Sequence, residues 1–201
     1  MNDSRELILN TSLKLFLQKS FKEVTMKEIV TETGMSKGAF YHYFSSKEQV
    51  FEEVIRFFYG DIMSVDYNSF SQNSLREFYH DYLNHVGKQM KVAKYVLGAN
   101  DGNAFNSNHY LLIFDALKIL PDFKAHLLER QKEELRSWVE IIKTAKKKGE
   151  IKSAMADATI ARLFIFSGDG MGINYIIADT LDKTKKELQV LWDGLYTTLK
   201  P

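Results

Sequence analysis

Side chains of like character recur three and four positions apart along almost the whole chain, as in the rows Leu7–Thr11–Leu15 and Ile8–Ser12–Phe16, and alternating strand-like runs are nearly absent. The pattern predicts an all-α protein. A first helix is expected over about 3–19, with Ser20-Phe21-Lys22 as the connector that follows. Thr25-Met26-Lys27-Glu28 has the form of a capping box, in which Thr25 accepts from the amide of residue 28 and Glu28 reaches back. Gly34 is placed to stop that helix, Ser36 to cap a short one over 37–43, and Ser45-Ser46-Lys47-Glu48 to open a long one to about residue 63.

Farther on, a polar loop over 66–73 and a helix over 74–95 lead to the turn-forming run Gly98-Ala99-Asn100-Asp101-Gly102-Asn103. Helices are expected over 108–119, stopped by Pro121, and over 122–147. Lys146-Lys147-Lys148 closes the second of these at the negative end of its dipole. Asp157 caps a strongly apolar helix to 178, and a last helix covers 181–199.

The segment 25–44, TMKEIVTETGMSKGAFYHYF, is two short helices around a glycine turn, which is helix-turn-helix syntax. In such a motif the second helix lies in the DNA major groove, so its outer face needs small, hydrogen-bonding or cationic side chains. Ser36, Lys37, Gly38, Ala39, Tyr41, His42 and Tyr43 supply them, while Ile29, Val30, Met35, Phe40 and Phe44 are spaced to pack inward. Taken singly, Tyr41, His42 and Tyr43 read as ordinary surface residues; together in this frame they point to DNA.

Composition narrows the class. The chain has 201 residues, 45% hydrophobic and 26% charged, enough for a real core without disulfides. The absence of cysteine removes thiolate metal sites and cysteine nucleophiles. The polar start, Met1-Asn2-Asp3-Ser4-Arg5-Glu6, has no apolar leader, so a cytoplasmic protein with no membrane partner is expected. A net charge of +1 gives no global pull on a polyanion, so DNA binding has to rest on a local patch.

Over 5–54 the chain resembles the tetracycline-repressor family. The resemblance rests on Arg5, Ile8, Leu9, Leu15, Phe16, Phe21, Val24, Thr25, Ile29, Gly34, Met35, Ser36, Lys37, Gly38, Tyr41, Phe44, Lys47 and Glu48 at fixed spacing. Ser20-Phe21, Val30 and Phe40 depart mildly from the family pattern and remove nothing the motif needs. The resemblance implies an N-terminal three-helix DNA-binding domain, 1–48, and a helical ligand-binding and dimerisation domain, 49–201. It also implies a homodimeric regulator, a repressor released from a palindromic operator by a small-molecule inducer of apolar or aromatic character, with no cofactor and no metal. The implied DNA-binding residues are Thr25, Met26, Ser36, Lys37, Gly38, Ala39, Tyr41, His42, Tyr43 and Lys47. Lys37 stays open between a phosphate and a guanine edge.

For the ligand the expected lining is Tyr82, Tyr95, Phe105, Tyr110, Phe114, Trp138 and Asp169; Asp169 is open between a cationic ligand and an intersubunit hydrogen bond. For the dimer, the two apolar late helices should pair with their mates through Phe166, Ile173, Leu188, Leu191, Trp192 and Leu195. Gly168, Gly170 and Gly172 then require close helix approach or a kink. Two other classes compete. An enzyme is disfavoured because the chain has no GxSxG elbow, no P-loop and no HExxH. A protein-binding module is disfavoured by the intact Ser36-Lys37-Gly38 and Lys47. A metal sensor would have only Asp81 and His85, four residues apart, at ligand-like spacing.

Overall fold

A computed structural model describes residues 3–97, 108–178 and 183–201; the turn expected at 98–103, Phe105 and the start of the last helix lie outside the described residues. Within them there are nine α-helices and no strand: α1 (Asp3–Gln18), α2 (Met26–Thr33), α3 (Lys37–Tyr41), α4 (Lys47–Ile55), α5 (Leu75–Leu97), α6 (Asn108–Ile119), α7 (Phe123–Lys147), α8 (Asp157–Ile177) and α9 (Thr184–Leu199). The described residues form two compact units, 1–64 with 92–124 and 65–91 with 125–201. These units follow contacts, whereas the division at residue 48 follows the motif.

In the first unit, α1, α2 and α4 bury Ile8, Leu13, Phe16, Val24, Ile29, Val50, Phe51 and Val54. The Phe51 ring meets Phe16 and Phe21 edge-on, with centroids 5.0 and 4.8 Å apart. An Arg5–Glu53 ion pair joins α1 to α4. The helix expected to run unbroken to residue 63 instead widens into a π-helical turn, Arg56–Ile62, in which Met63 N–H donates to the Phe58 carbonyl at 2.8 Å. A widened turn is a local departure from i→i−4 bonding, and Gly60, a weak helix former, lies within it. Phe58 and Tyr59 meet His109 of α6 there, with ring centroids 5.6 and 6.0 Å apart. Burial pushes the His109 imidazole down to about 4, so it is neutral.

The second unit is built on aromatics. Trp138 of α7 stacks on Phe164 of α8 at 5.1 Å and meets Trp192 of α9 edge-on at 5.3 Å. The stretch expected to be a polar loop carries a 3₁₀ turn, Tyr67–Ser69, and its Tyr67 and Phe70 are core residues. Glu150 caps α5 from 75 residues away. Its carboxylate accepts from Leu75 N–H at 2.9 Å, Arg76 N–H at 3.1 Å, Ser74 Oγ at 2.8 Å and Tyr196 OH at 3.0 Å. Burial opposes ionisation, yet those donors hold the Glu150 carboxyl below its usual range.

Candidate nucleic-acid interface

Local chemistry sets the two helices of the motif. Thr25 takes an extended conformation and its hydroxyl accepts from Glu28 N–H at 3.1 Å. The Glu28 carboxylate pairs with Lys19, and that bond holds it below its usual range, with a smaller contribution from the Thr25 amide. Gly34 ends α2 in the left-handed region, φ 66°, and its N–H donates to Thr31 at 3.1 Å. The sharp turn depends on that conformation, which a side chain disfavours. Ser36 Oγ then accepts from Ala39 N–H at 3.2 Å and starts α3.

The helices are held at a fixed angle by burial. Ile29, Phe40 and Phe44 are buried, while Val30 and Met35, expected in the core, are half-buried. What α3 turns outward is Lys37, Gly38, Ala39, Tyr41 and His42, with Ser36 and Thr25 exposed beside them and Met26 and Tyr43 half-buried. The Lys37 ammonium lies 5.8 Å from the Tyr41 ring centroid, and the His42 and Tyr43 rings meet edge-on at 5.6 Å. Residues 35–47 contain Lys37 and Lys47 and no acidic residue, which makes the local positive patch that a net charge of +1 hides. Lys22 and Lys27, which the motif reading passed over, are exposed on either side of Thr25.

Lys47 has a second task. Its half-buried ammonium donates to the Phe21 carbonyl at 2.8 Å and the Val24 carbonyl at 2.7 Å, and lies 4.3 Å from the Phe21 ring centroid. Two of its three donors therefore brace the connector before α2. A cation in the first turn of a helix opposes the dipole, and that was the signal in the sequence that something else holds it.

Residues 8–54 match the family described as bacterial regulatory proteins, tetR family. Residues 8–54 therefore carry a tetR-family DNA-binding domain by this match. Among curated relatives, YerO of Bacillus subtilis (strain 168), an uncharacterized HTH-type transcriptional regulator, is 31% identical over 123 residues, 61% of this chain and 38% of that protein. BepR of Brucella suis biovar 1, an HTH-type transcriptional repressor, is 25% identical over 174 residues, 81% and 76% of the two chains. The chain spans less than half the length of the first curated relatives it matches. A solved transcriptional regulator from Aquifex aeolicus VF5 superposes with a TM-score of 0.64 at 20% identity, covering 96% of this chain and 99% of that one. The likeness in fold therefore extends through the helices beyond the matched domain.

Outside that domain, the expected ligand residues fall in both units. Tyr82, Trp138 and Asp169 belong to the second unit, Tyr95, Tyr110 and Phe114 to the first, and Phe105 lies outside the described residues. Tyr95 is 88% exposed and Phe114 54%, so neither lines an enclosed cavity. Tyr110 is half-buried against His109. In the second unit, Tyr67 and Tyr82 both hydrogen-bond to Glu134, a carboxyl that sequence reasoning missed. Burial pushes Glu134 above its usual range, and Asp169 nearby adds to the rise. Asp169 is exposed by area, yet enough protein surrounds its carboxyl to raise it as well. The Trp138 indole N–H is buried with no hydrogen-bond partner among the described residues.

The fold also divides the expected dimer residues. Phe166, at 62%, is exposed, as are Ile173 and Leu191, together with Leu163, Ile177 and Val190. Leu188 and Trp192 are buried in the chain's own core. Trp192 packs where a Cβ at Gly168 would lie 3.4 Å from its ring, and its Nε1 donates to Ser167 Oγ at 3.0 Å. Leu195 is half-buried against the same core. Asp81 and His85 serve the loop before α5: Asp81 accepts from Ser71 N–H at 2.9 Å and His85 packs on Phe70. Among the described residues no three histidine or carboxylate side chains gather as a metal site, and no helix is long and apolar enough to cross a membrane.

Proposed function

We propose that this protein is a homodimeric, cytoplasmic transcriptional repressor that binds a palindromic operator through α3 and is released by a small aromatic or apolar effector. The carrying observation is α3 itself, which is capped at Ser36, anchored by Phe40 and turns Lys37, Gly38, Ala39, Tyr41 and His42 to solvent with no acidic residue over 35–47. Thr25, Ser36 and the remaining donor of Lys47 flank it as phosphate contacts, which position without specifying, with Met26 and Tyr43 beside them. That BepR is named a repressor supports the sign of the regulation.

Dimerisation is supported by the apolar side chains that α8 and α9 leave exposed, Phe166, Ile173, Ile177, Val190 and Leu191 among them. Gly170, Gly172 and Gly194 have nothing within 4 Å of an added Cβ, so the chain's own packing does not account for them, and a close neighbouring helix would. An effector is supported by the second unit, where the partnerless Trp138 N–H stands among aromatic rings and Glu134 and Asp169 sit as raised carboxyls.

Selection of duplexes from a random pool with the purified full chain tests the reading. Enrichment of a palindrome whose half-sites lie about 34 Å apart supports it. No enrichment at low salt, repeated after unfolding and refolding to strip bound effector, refutes it.

A further inference from the structure

The connector that delivers the chain into Thr25 is fixed almost wholly from within the first 64 residues. Ser20 N–H and Oγ donate to Glu23 at 2.9 and 2.6 Å, and Glu23 and Val24 donate back to the Ser20 carbonyl at 3.0 and 3.3 Å. Lys47 takes the carbonyls of Phe21 and Val24. The Phe21 ring lies between Phe16 and Phe51. One anchor comes from far along the chain: Phe21 N–H donates to Asp115 Oδ2 of α6 at 2.9 Å, across 94 residues of sequence. α6 packs on both α1 and α4 and buries Leu112 and Ala116, so the carboxylate is held by a packed helix.

We infer that Asp115 is a positioning residue for DNA binding: through the Phe21 amide it sets the connector, and with it Thr25 and the start of α2. The inference rests on the DNA-binding reading above. Phe21 is gripped at both backbone ends, its N–H by α6 and its carbonyl by α4, so one residue reports the placement of both helices. A shift of α6 is then felt at the first phosphate-contacting residue without passing through the recognition helix. Nothing local in the sequence marks Asp115, because its partner is 94 residues away.

Charge and hydrogen bonding make opposite predictions here. An acidic side chain near a DNA-binding surface repels phosphates, so if Asp115 acted only as a charge, removing it would tighten binding whatever replaced it. If it acts as an acceptor, Asp115→Asn retains that function through the amide oxygen and Asp115→Ala does not.

The test uses the full chain and the duplex obtained by selection, comparing dissociation constants of wild type, Asp115→Asn and Asp115→Ala at fixed salt. Thermal midpoints and exchange of the Phe21 amide accompany them. The expected result is binding by Asp115→Asn at least as tight as wild type, and by Asp115→Ala about fivefold weaker than by Asp115→Asn, the equivalent of one ordinary hydrogen bond. Phe21 amide exchange should be faster in the alanine variant and slow again in the asparagine variant, with both folded at the assay temperature. Equal affinities for the two variants, or unchanged Phe21 exchange in Asp115→Ala, overturn the inference and leave the DNA reading standing. A wild type that binds no duplex overturns the DNA reading, and the role of Asp115 with it.

Discussion

A single methyl group at Gly38 separates what the fold needs from what DNA needs. Gly38 sits inside α3, outside the left-handed backbone region, and a Cβ built there meets nothing within 4 Å. In the free protein Gly38→Ala is therefore expected to stabilise, by about 0.5–1 kcal/mol, because alanine is the better helix former and its unfolded chain has less freedom to lose. In the proposed complex with DNA the same methyl would point into the gap between α3 and the groove. If the backbone approaches base edges closely there, the added atom costs about 1–3 kcal/mol, as overpacking of a fitted surface does. That is about 5- to 150-fold in Kd. Urea unfolding and fluorescence anisotropy on the selected duplex measure the two effects on one preparation. Gly34 is the control: at φ 66° an alanine there is strained, and Gly34→Ala should lose stability instead. A Gly38→Ala protein that is more stable and still binds as tightly as wild type would refute the close approach, and α3 would not lie in the groove as described.

Lys47→Met keeps the stem and removes the ammonium from two carbonyls, so the full chain should lose about 1–3 kcal/mol in urea unfolding as well as DNA affinity; wild-type stability would mean that the brace is idle. The folded His109 value of about 4 lies below the ordinary 6.5, so the unfolded chain takes up the proton first. Stability should therefore fall as pH drops from about 6.5 to about 4, by about 3 kcal/mol in all, and His109→Phe should flatten that part of the profile. Leu191→Arg should give a folded monomer by sedimentation, whereas Trp192→Ala should cost about 3–5 kcal/mol through its cavity; a dimeric Leu191→Arg would take α9 out of the interface.

The geometry of the helix-turn-helix was legible because its determinants are local. Thr25, Ser36 and Ser46 bond to amides three residues on, and Gly34 closes α2 onto Thr31, so the spacing of residue types carries the geometry directly. The burial of the residues expected at the ligand and dimer sites was not legible in the same way. Aromatic residues at helical spacing do not announce whether they face a core, a cavity or water: Tyr95 and Phe114 are exposed, whereas Trp138 is buried. Glu134 escaped notice because a carboxyl on a charged, amphipathic helix looks solvated until Tyr67 and Tyr82 are brought onto it.

What the sequence by itself determined is the all-helical class, the order and most boundaries of the helices, and the residues that α3 turns outward, since all of these follow from interactions over three or four positions. Only the tertiary structure decided which side of each late helix is buried. α8 is apolar nearly all round, so its periodicity prefers no face, and the choice falls to Gly168 and the Trp192 ring that packs against it. The same holds for the long-range anchors. Lys47 reaches back 23 and 26 residues, Glu150 caps a helix 75 residues away, and Asp115 holds a peptide 94 residues away. Such bonds depend on which helices pack together, and burial of the aromatic cores decides that.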